Sequence, residues 1–593
     1  MKSSRYNYFR IVLISFIVIV GILQSCETKE EKNSLNFQTQ FELSGGEETA
    51  TYLQTIDFYI RLAKEFPEIN MQTVGETDSG YPLHIITYNP DADFNFQKIS
   101  DNKTIMLINN GIHPGESDGI DATMLLFRDL ATGTLKHPKN TVLVTIPIYN
   151  VGGALNRNSS TRANQNGPES YGFRGNALNY DLNRDFIKAD TKNARTFSKI
   201  FHLVRPDIFI DNHVSNGADY QYTLTHLFTQ HNKLGEKLGT YLNQEMMPAL
   251  EKSLQDIDWD ITPYVNVFNA VPEKGFSQFM DYPRYSTGYT TLWNTFGMMV
   301  ETHMLKPYKQ RVEGTYHLLE KMIALAEADG EQIRSLRAEA KYRHKDWDYY
   351  PTTWAVDSTH HTTLNFKGFE ADTLISEVTG FKRLKYNRDK PFTKPVNYQN
   401  FYLPIDSVEI PEAYMLKRGW GKVSALFDLN EVKYEIIKND TILSVESYKI
   451  ASFKTTDYPY EGHYPHYDTK IDATIKKVKF QQGDLYIPTD QVGIRYLLET
   501  LEPEANDSFF NWNFFDPILQ QKEGFSPYVF EDEALQLLQE NATLRDSFQL
   551  KKQEEPEFAA NWYAQLDWLF KQSEHYEDAH LQYPVYRVLK TTR

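Results

Sequence analysis

From about residue 50 onward, apolar positions follow two alternating rhythms. Over 51–65 and 119–130 they recur at helical spacing. Over 83–88, Thr104–Asn109 and 141–149 they form short, nearly continuous runs of strand length, closed by polar or glycine-containing turns. The same reading predicts strands over 207–211 and 296–300, a long amphipathic helix over 232–253 and a closing helix over 314–343 rich in Ala, Leu, Glu and Lys. Strands separated by helices predict an α/β domain over 48–345, a mixed and mostly parallel twisted sheet covered by helices. Beyond about residue 346 the texture changes. Tyr, Thr, Val and Ile rise, and stretches such as 433–437 and 474–480 alternate, so 346–593 is expected to be a mainly β accessory region with a helical tail around 531–573.

Composition narrows the chemistry. The chain has 593 residues, room for two to four domains, and 41% hydrophobic with 24% charged residues argues against wholesale disorder. A net charge of -17 makes nucleic acid a poor partner, because an acidic surface repels phosphate backbones. The single cysteine, Cys26, excludes intramolecular disulfides, cysteine zinc sites and iron–sulfur clusters, so any metal must use His, Asp or Glu. Lys2, Arg5 and Arg10 precede an apolar run over 11–23, shorter than the roughly 20 residues of a bilayer-spanning helix. The run ends in Leu23-Gln24-Ser25-Cys26, which resembles a bacterial lipobox. Residues 1–26 are therefore expected to be a lipoprotein signal peptide ending at a lipid-accepting Cys26, and 27–47 a polar tether. The expected location is the bacterial cell envelope, on the outer membrane, at its periplasmic or surface face.

In open α/β sheets, ligands collect at the carboxyl ends of strands. The run 105–108 leads into Asn109-Asn110-Gly111-Ile112-His113-Pro114-Gly115-Glu116, the run 207–210 into Asp211-Asn212-His213, and the run 298–300 into Glu301-Thr302-His303. Three strands thus end in imidazoles and carboxylates that can converge on one point. His-x-x-Glu alone is weak. With 16 histidines in the chain about one match is expected by chance, and His317-Leu318-Leu319-Glu320 in mid-helix is read as a decoy. His113 and Glu116 differ because Pro114 and Gly115 place them in a turn leaving a buried strand. Between these runs lies Arg174-Gly175-Asn176-Ala177-Leu178-Asn179-Tyr180-Asp181-Leu182-Asn183-Arg184. Its arginines and amides either hold a carboxylate by paired hydrogen bonds or belong to a solvated loop.

Taken together, His113-x-x-Glu116, Arg174 ahead of Asp181-x-Asn183-Arg184, His213 and Glu301 resemble the carboxypeptidase A-like zinc metallopeptidase family, over roughly residues 50 to 330. The resemblance implies one zinc ion held by His113, Glu116 and His213, with a water in the open position. It implies Glu301 as general base and then proton donor to the leaving amine, and Arg174 as stabiliser of the oxyanion. Asn183 and Arg184 would grip the substrate's terminal carboxylate, and Asp181 would orient His113. The implied activity is zinc-dependent removal of C-terminal residues from peptides that end in a free carboxylate.

The family also supplies a tyrosine that closes over substrate. Tyr282, Tyr285 and Tyr289 compete for that place and Tyr285 is preferred, while Arg284 beside it is open to a second anion contact. His303 is read as a packing or supporting histidine. Two rivals remain. One is a hydrolase of cell-wall peptides (γ-D-glutamyl bonds to a diamino acid) or of N-acyl amino acids on the same scaffold. The other is a non-catalytic surface binder of peptides or glycans. For the latter, Phe509-Phe510-Asn511-Trp512-Asn513-Phe514-Phe515 serves equally as a platform or as core.

Overall fold

Residues 104–109, 141–146 and 208–215 carry scarcely a charged side chain except at their carboxyl ends, and they become the buried centre of an eight-stranded sheet. The computed structural model describes residues 37–343 and 347–590; the expected signal segment and Cys26 lie outside them. The strands are β1 (Ile69–Glu76), β2 (Pro82–Tyr88), β3 (Thr104–Asn109), β4 (Thr141–Ile146), β5 (Ile208–Ser215), β6 (Leu224–Phe228), β7 (Ile261–Pro263), the short β8 (Phe276–Ser277) outside this sheet, and β9 (Phe296–His303). Their order is β1-β2-β4-β3-β5-β9-β6-β7. β4, β3, β5 and β9 run parallel, and antiparallel pairings join β1, β2 and β6 to them. Every residue of β3, β4 and β5 is buried, as a sheet covered on both faces requires. The α/β reading therefore holds.

Chain order fixes where a ligand can sit. The chain leaves β3 for β4 on one side and returns to the other side of β3 with β5. The crevice beyond the carboxyl ends of β3 and β5 is thus the topological switch point, where such sheets bind ligands.

Several elements differ from the sequence reading. The helix expected over 232–253 is broken: Gly235, with φ 83°, ends His231–Leu234, and Glu236–Tyr241 passes through a wider turn at Leu242–Met246 into Met247–Gln255. Only Glu435–Ile436 of the stretch 433–437 is a strand. The segment expected as a tether is docked where it is described. Thr39 and Glu42 form a capping box, and Phe37 and Phe41 are buried against Phe58 and Tyr308. Two buried phenylalanines contribute on the order of 1.5–3 kcal/mol each, ample to hold a short polar segment down.

Beyond 347, β10 (Tyr349–Val356) pairs with β13 (Tyr402–Glu409), and β11 (Thr362–Ile375) with β12 (Lys382–Gln399) makes a long hairpin whose end pairs with β8. The remaining strands form a six-stranded sheet, from β14 (Ala413–Leu416), β15 (Glu435–Ile436), β16 (Thr441–Thr455), β17 (His466–Phe480), β18 (Leu485–Pro488) and β19 (Gln582–Val588), in the order β15-β18-β14-β19-β16-β17. β19 comes after the tail helices Pro527–Glu540, Ala542–Glu554 and Trp562–Phe570, yet pairs in mid-sheet. One apolar core runs without interruption from Phe37 through the eight-stranded sheet to Val585. Phe509, Phe510, Trp512, Phe514 and Phe515 are buried in it, which decides that stretch as core.

Candidate active site

β3, β5 and β9 each deliver one part of a cluster at the switch point. Beyond β3, Gly111 adopts φ 63° and the chain turns so that the N–H of Glu116 donates to the carbonyl of His113 at 2.8 Å, which sets both side chains on one side of the turn. On β5, His213 stands opposite Glu301 of β9 in parallel register. Asp211, two residues before His213, lies on the same face by the period of a strand.

His113, Glu116 and His213 are all buried, and one ligand atom from each lies within 4.8 Å of the others. Glu116 Oε1 is 3.2 Å from His113 Nδ1, and its Oε2 is 3.0 Å from His213 Nδ1. The other ring nitrogens face carboxylates. His113 Nε2 is 3.0 Å from Asp181 Oδ1, and His213 Nε2 is 3.0 Å from Asp211 Oδ2, although not in line for a hydrogen bond. Two imidazoles that turn one nitrogen to a shared point and the other to a carboxylate, with a carboxylate between them, fit a divalent cation. Backing carboxylates of this kind orient metal-ligating histidines and raise their basicity. Two imidazoles and a carboxylate are a donor set that zinc accepts.

The electrostatics derive from burial and neighbours. Burial works to raise Glu116, but His113, Arg162 and the hydrogen bonds of both histidines outweigh it and hold its carboxyl well below the usual range. Burial works to lower His213, and Asp211 and Glu116 override it and hold the imidazole well above its ordinary value. Glu301 keeps some exposure to the cleft. Its desolvation, with Glu116 and Asp211 nearby, pushes the carboxyl up to about 8 against the opposing pull of His213 and Arg174. Burial opposes ionisation of Asp181 too, but His113, Arg174 and Arg184 hold it far below an ordinary carboxylate.

The segment 174–184 wraps the open side. Arg174 donates from Nε and Nη2 to Asp181 Oδ2 at 3.1 and 2.8 Å, and its Nη1 lies 3.3 Å from His113 Nδ1. Asp181 caps the short turn Leu182–Arg184 by accepting from the N–H of Asn183, and Asn183 Oδ1 accepts from the N–H of Ser286 at 3.1 Å. Ser286 Oγ in turn donates to Asp211 Oδ2 at 2.5 Å. The Arg184 guanidinium lies 4.6 Å from the Tyr285 ring centroid and 3.9 Å from Asp181 Oδ2. All of His113, Glu116, Arg174, Asp181, Asn183, Arg184, His213, Tyr285 and Glu301 are thus brought to one end of the sheet.

Other expected contacts fall elsewhere. Tyr289 is fully buried, with its hydroxyl on Asn430 at 2.6 Å, and is a core residue. Arg284, open in the sequence to a second anion contact, spends its Nε and backbone N–H on Asp507, both at 2.8 Å. His303 turns to Asp219 and packs on Tyr220 at 4.2 Å, away from the ligand cluster. Arg162 was missed: its Nη2 lies 2.9 Å from Glu116 Oε1, in space that a side chain at Gly115 would fill, since a Cβ there meets Arg162 Nε at 2.2 Å. No local signal marks Arg162, whereas Asp211 was legible from strand period alone.

No protein-family model and no curated protein sequence matches this chain. Among solved structures it is similar to a metallo-carboxypeptidase from Burkholderia cenocepacia, at 15% identity and TM-score 0.34 over 46% of this chain and 68% of that one. A metallo-carboxypeptidase from Pseudomonas aeruginosa in complex with (2-guanidinoethylmercapto)succinic acid aligns at 12% identity and TM-score 0.35, over 47% and 69%. Carboxypeptidase A from Helicoverpa armigera aligns at 14% and 0.34, over 49% and 74%.

Proposed function

We propose that the chain is a zinc-dependent metallocarboxypeptidase that removes C-terminal residues from peptides ending in a free carboxylate. The observation that carries this reading is the cluster of His113, Glu116 and His213 at the switch point, with Glu301 in register opposite His213 and the 174–184 segment beside it. Zinc held by the three ligands supplies Lewis acidity, lowering the pKa of water and polarising a carbonyl.

The protein's own groups do the rest. Glu301, in its carboxylate form, takes a proton from the attacking water and returns it to the leaving amine. Arg174, on the open side of the cluster and steadied by Asp181, offsets negative charge as it develops on the scissile carbonyl oxygen. Asn183 and Arg184 hold the terminal carboxylate, with the Tyr285 ring behind the guanidinium. Asp181 joins the two ends, touching His113 with one oxygen and Arg174 with the other. A lipid anchor on Cys26 belongs to the same proposal and would hold this activity at the cell envelope.

The test is hydrolysis of a mixed peptide library by zinc-loaded protein, with and without chelator. Chelator-sensitive loss of single C-terminal residues is expected. Silence with zinc bound stoichiometrically moves the reading to cell-wall peptides or N-acyl amino acids, and silence without zinc sinks the enzyme reading.

A further inference from the structure

The C-terminal region reaches the candidate active site through one hairpin. Between β16 and β17, residues 456–465 narrow to a tight turn in which Tyr460 and His463 exchange backbone hydrogen bonds at 2.7 and 3.1 Å. Glu461 and Gly462 between them have φ 49° and 78°. Two successive left-handed residues make the type I′ turn that suits a twisted hairpin, an uncommon conformation for glutamate.

The tip is fastened to the loop that carries Asp181, Asn183 and Arg184. Glu461 Oε2 accepts from the N–H of Asp181 at 2.8 Å, and His463 Nε2 meets Asp190 Oδ2 at 2.7 Å. Gly462 lies so close to Tyr180 that a Cβ would come within 2.5 Å of its hydroxyl. The Tyr460 ring stacks on Trp512 at 6.1 Å, beside the Arg284 guanidinium that Asp507 fixes. Tyr460 is also among the groups that favour the charged form of Arg184, after Asp181 and Tyr285. A row of contacts runs from His113 to Asp181 at 3.0 Å and on to Arg184 at 3.9 Å. The tip therefore flanks this row on the Asp181–Arg184 side, fastened there by Glu461.

We propose that this hairpin tip is the outer wall of the carboxylate pocket, with Tyr460 touching the substrate's terminal carboxylate beside Arg184 and the tip barring chains that continue past it. The inference rests on the carboxypeptidase reading and deepens it, since the demand for a free carboxylate becomes a property of residues outside the α/β half. The hydroxyl of Tyr460 donates to a carboxylate oxygen, and its ring shields the Arg184–carboxylate pair from water, which strengthens that pair.

The experiment compares wild type, Tyr460→Ala and Tyr460→Phe, all zinc-loaded full-chain protein, on N-acetyl dipeptides with free-acid ends and on the same peptides as amides. Loss of a hydrogen bond to a charged group predicts an increase of about tenfold in the free-acid KM of Tyr460→Ala, with kcat within about threefold of wild type. The acid-over-amide preference narrows in parallel, and Tyr460→Phe, which keeps the ring on Trp512, falls between. Free-acid KM and acid-over-amide ratio in Tyr460→Ala both within about twofold of wild type overturn the inference and leave the peptidase reading intact. Wild type that cleaves neither series, or both equally, overturns the carboxypeptidase reading and this inference with it. Should the alanine variant not fold, the free-acid KM of Tyr460→Phe decides, a rise beyond about twofold supporting the contact and anything less removing it.

Discussion

The same four-residue pattern occurs twice in this chain, with opposite outcomes. His113 and Glu116 leave a buried strand through a Pro-Gly turn, are each 4% exposed at the side chain, and meet His213 from the neighbouring strand. His317 and Glu320 sit on the helix Tyr308–Ala340, 38% and 31% exposed, and face each other at 3.1 Å as neighbours one turn apart do on any helix. Chemistry and spacing are identical. What differs is that the turn brings its pair to a switch point where two other strands also end, whereas the helix turns its pair to solvent beside Trp259 and Tyr316. A ligand pair becomes a site only where a third donor is supplied from a distant part of the chain.

The comparison breaks most sharply at the ligands. His213→Ala is expected to cost metal affinity by at least about 100-fold, read by elemental analysis after dialysis, while His317→Ala keeps stoichiometric metal. Glu301→Gln and Arg174→Ala are expected to retain metal and lose roughly 10²–10⁴-fold and 10²–10³-fold in turnover; wild-type rates with metal bound remove that residue from the chemistry. Asp181→Asn, which leaves His113 in place but weakens its support, is expected to lower metal affinity by about 10–100-fold.

A pH experiment on metal-free protein gives a smaller effect. The Glu301 carboxyl is raised to about 8 in the folded chain. As pH rises from about 4.5 toward 8, the unfolded chain releases this proton while the folded chain holds it, so wild-type stability falls across that window. Glu301→Gln has no such proton. Its denaturation midpoint is therefore expected to gain on wild type as pH rises from 5 to 8, and parallel curves would show that Glu301 is not desolvated. The smallest effect belongs to Glu320→Ala, expected to change stability by no more than about 0.5 kcal/mol in a denaturant titration.

The fold of the α/β half was legible because its strands are apolar runs with polar ends, and strand ends are where the chemistry collects. His113, Glu116, His213 and Glu301 each stand within a few residues of the end of such a run. β1 escaped because Asn70, Gln72 and Thr73 give an edge strand little apolar signature. The unity of the two halves also escaped, since β8 pairs with the end of β12 more than a hundred residues further on and one apolar core spans both. Contacts of this reach leave no local trace. Glu461 on Asp181 is of that kind, and Arg162 on Glu116 is a shorter-range example. Tyr289 failed as a cleft residue for a related reason: spacing to Glu301 says nothing of Asn430, the partner that holds it in the core.

The measurement that tests the central claim most directly is anomalous diffraction at the zinc edge from crystals of zinc-loaded full-chain protein. A single strong peak within ligand distance of His113, Glu116 and His213, with none beside His317 and Glu320, is the result predicted here. No peak among the first three residues, or an equal peak at the helical pair, would contradict it.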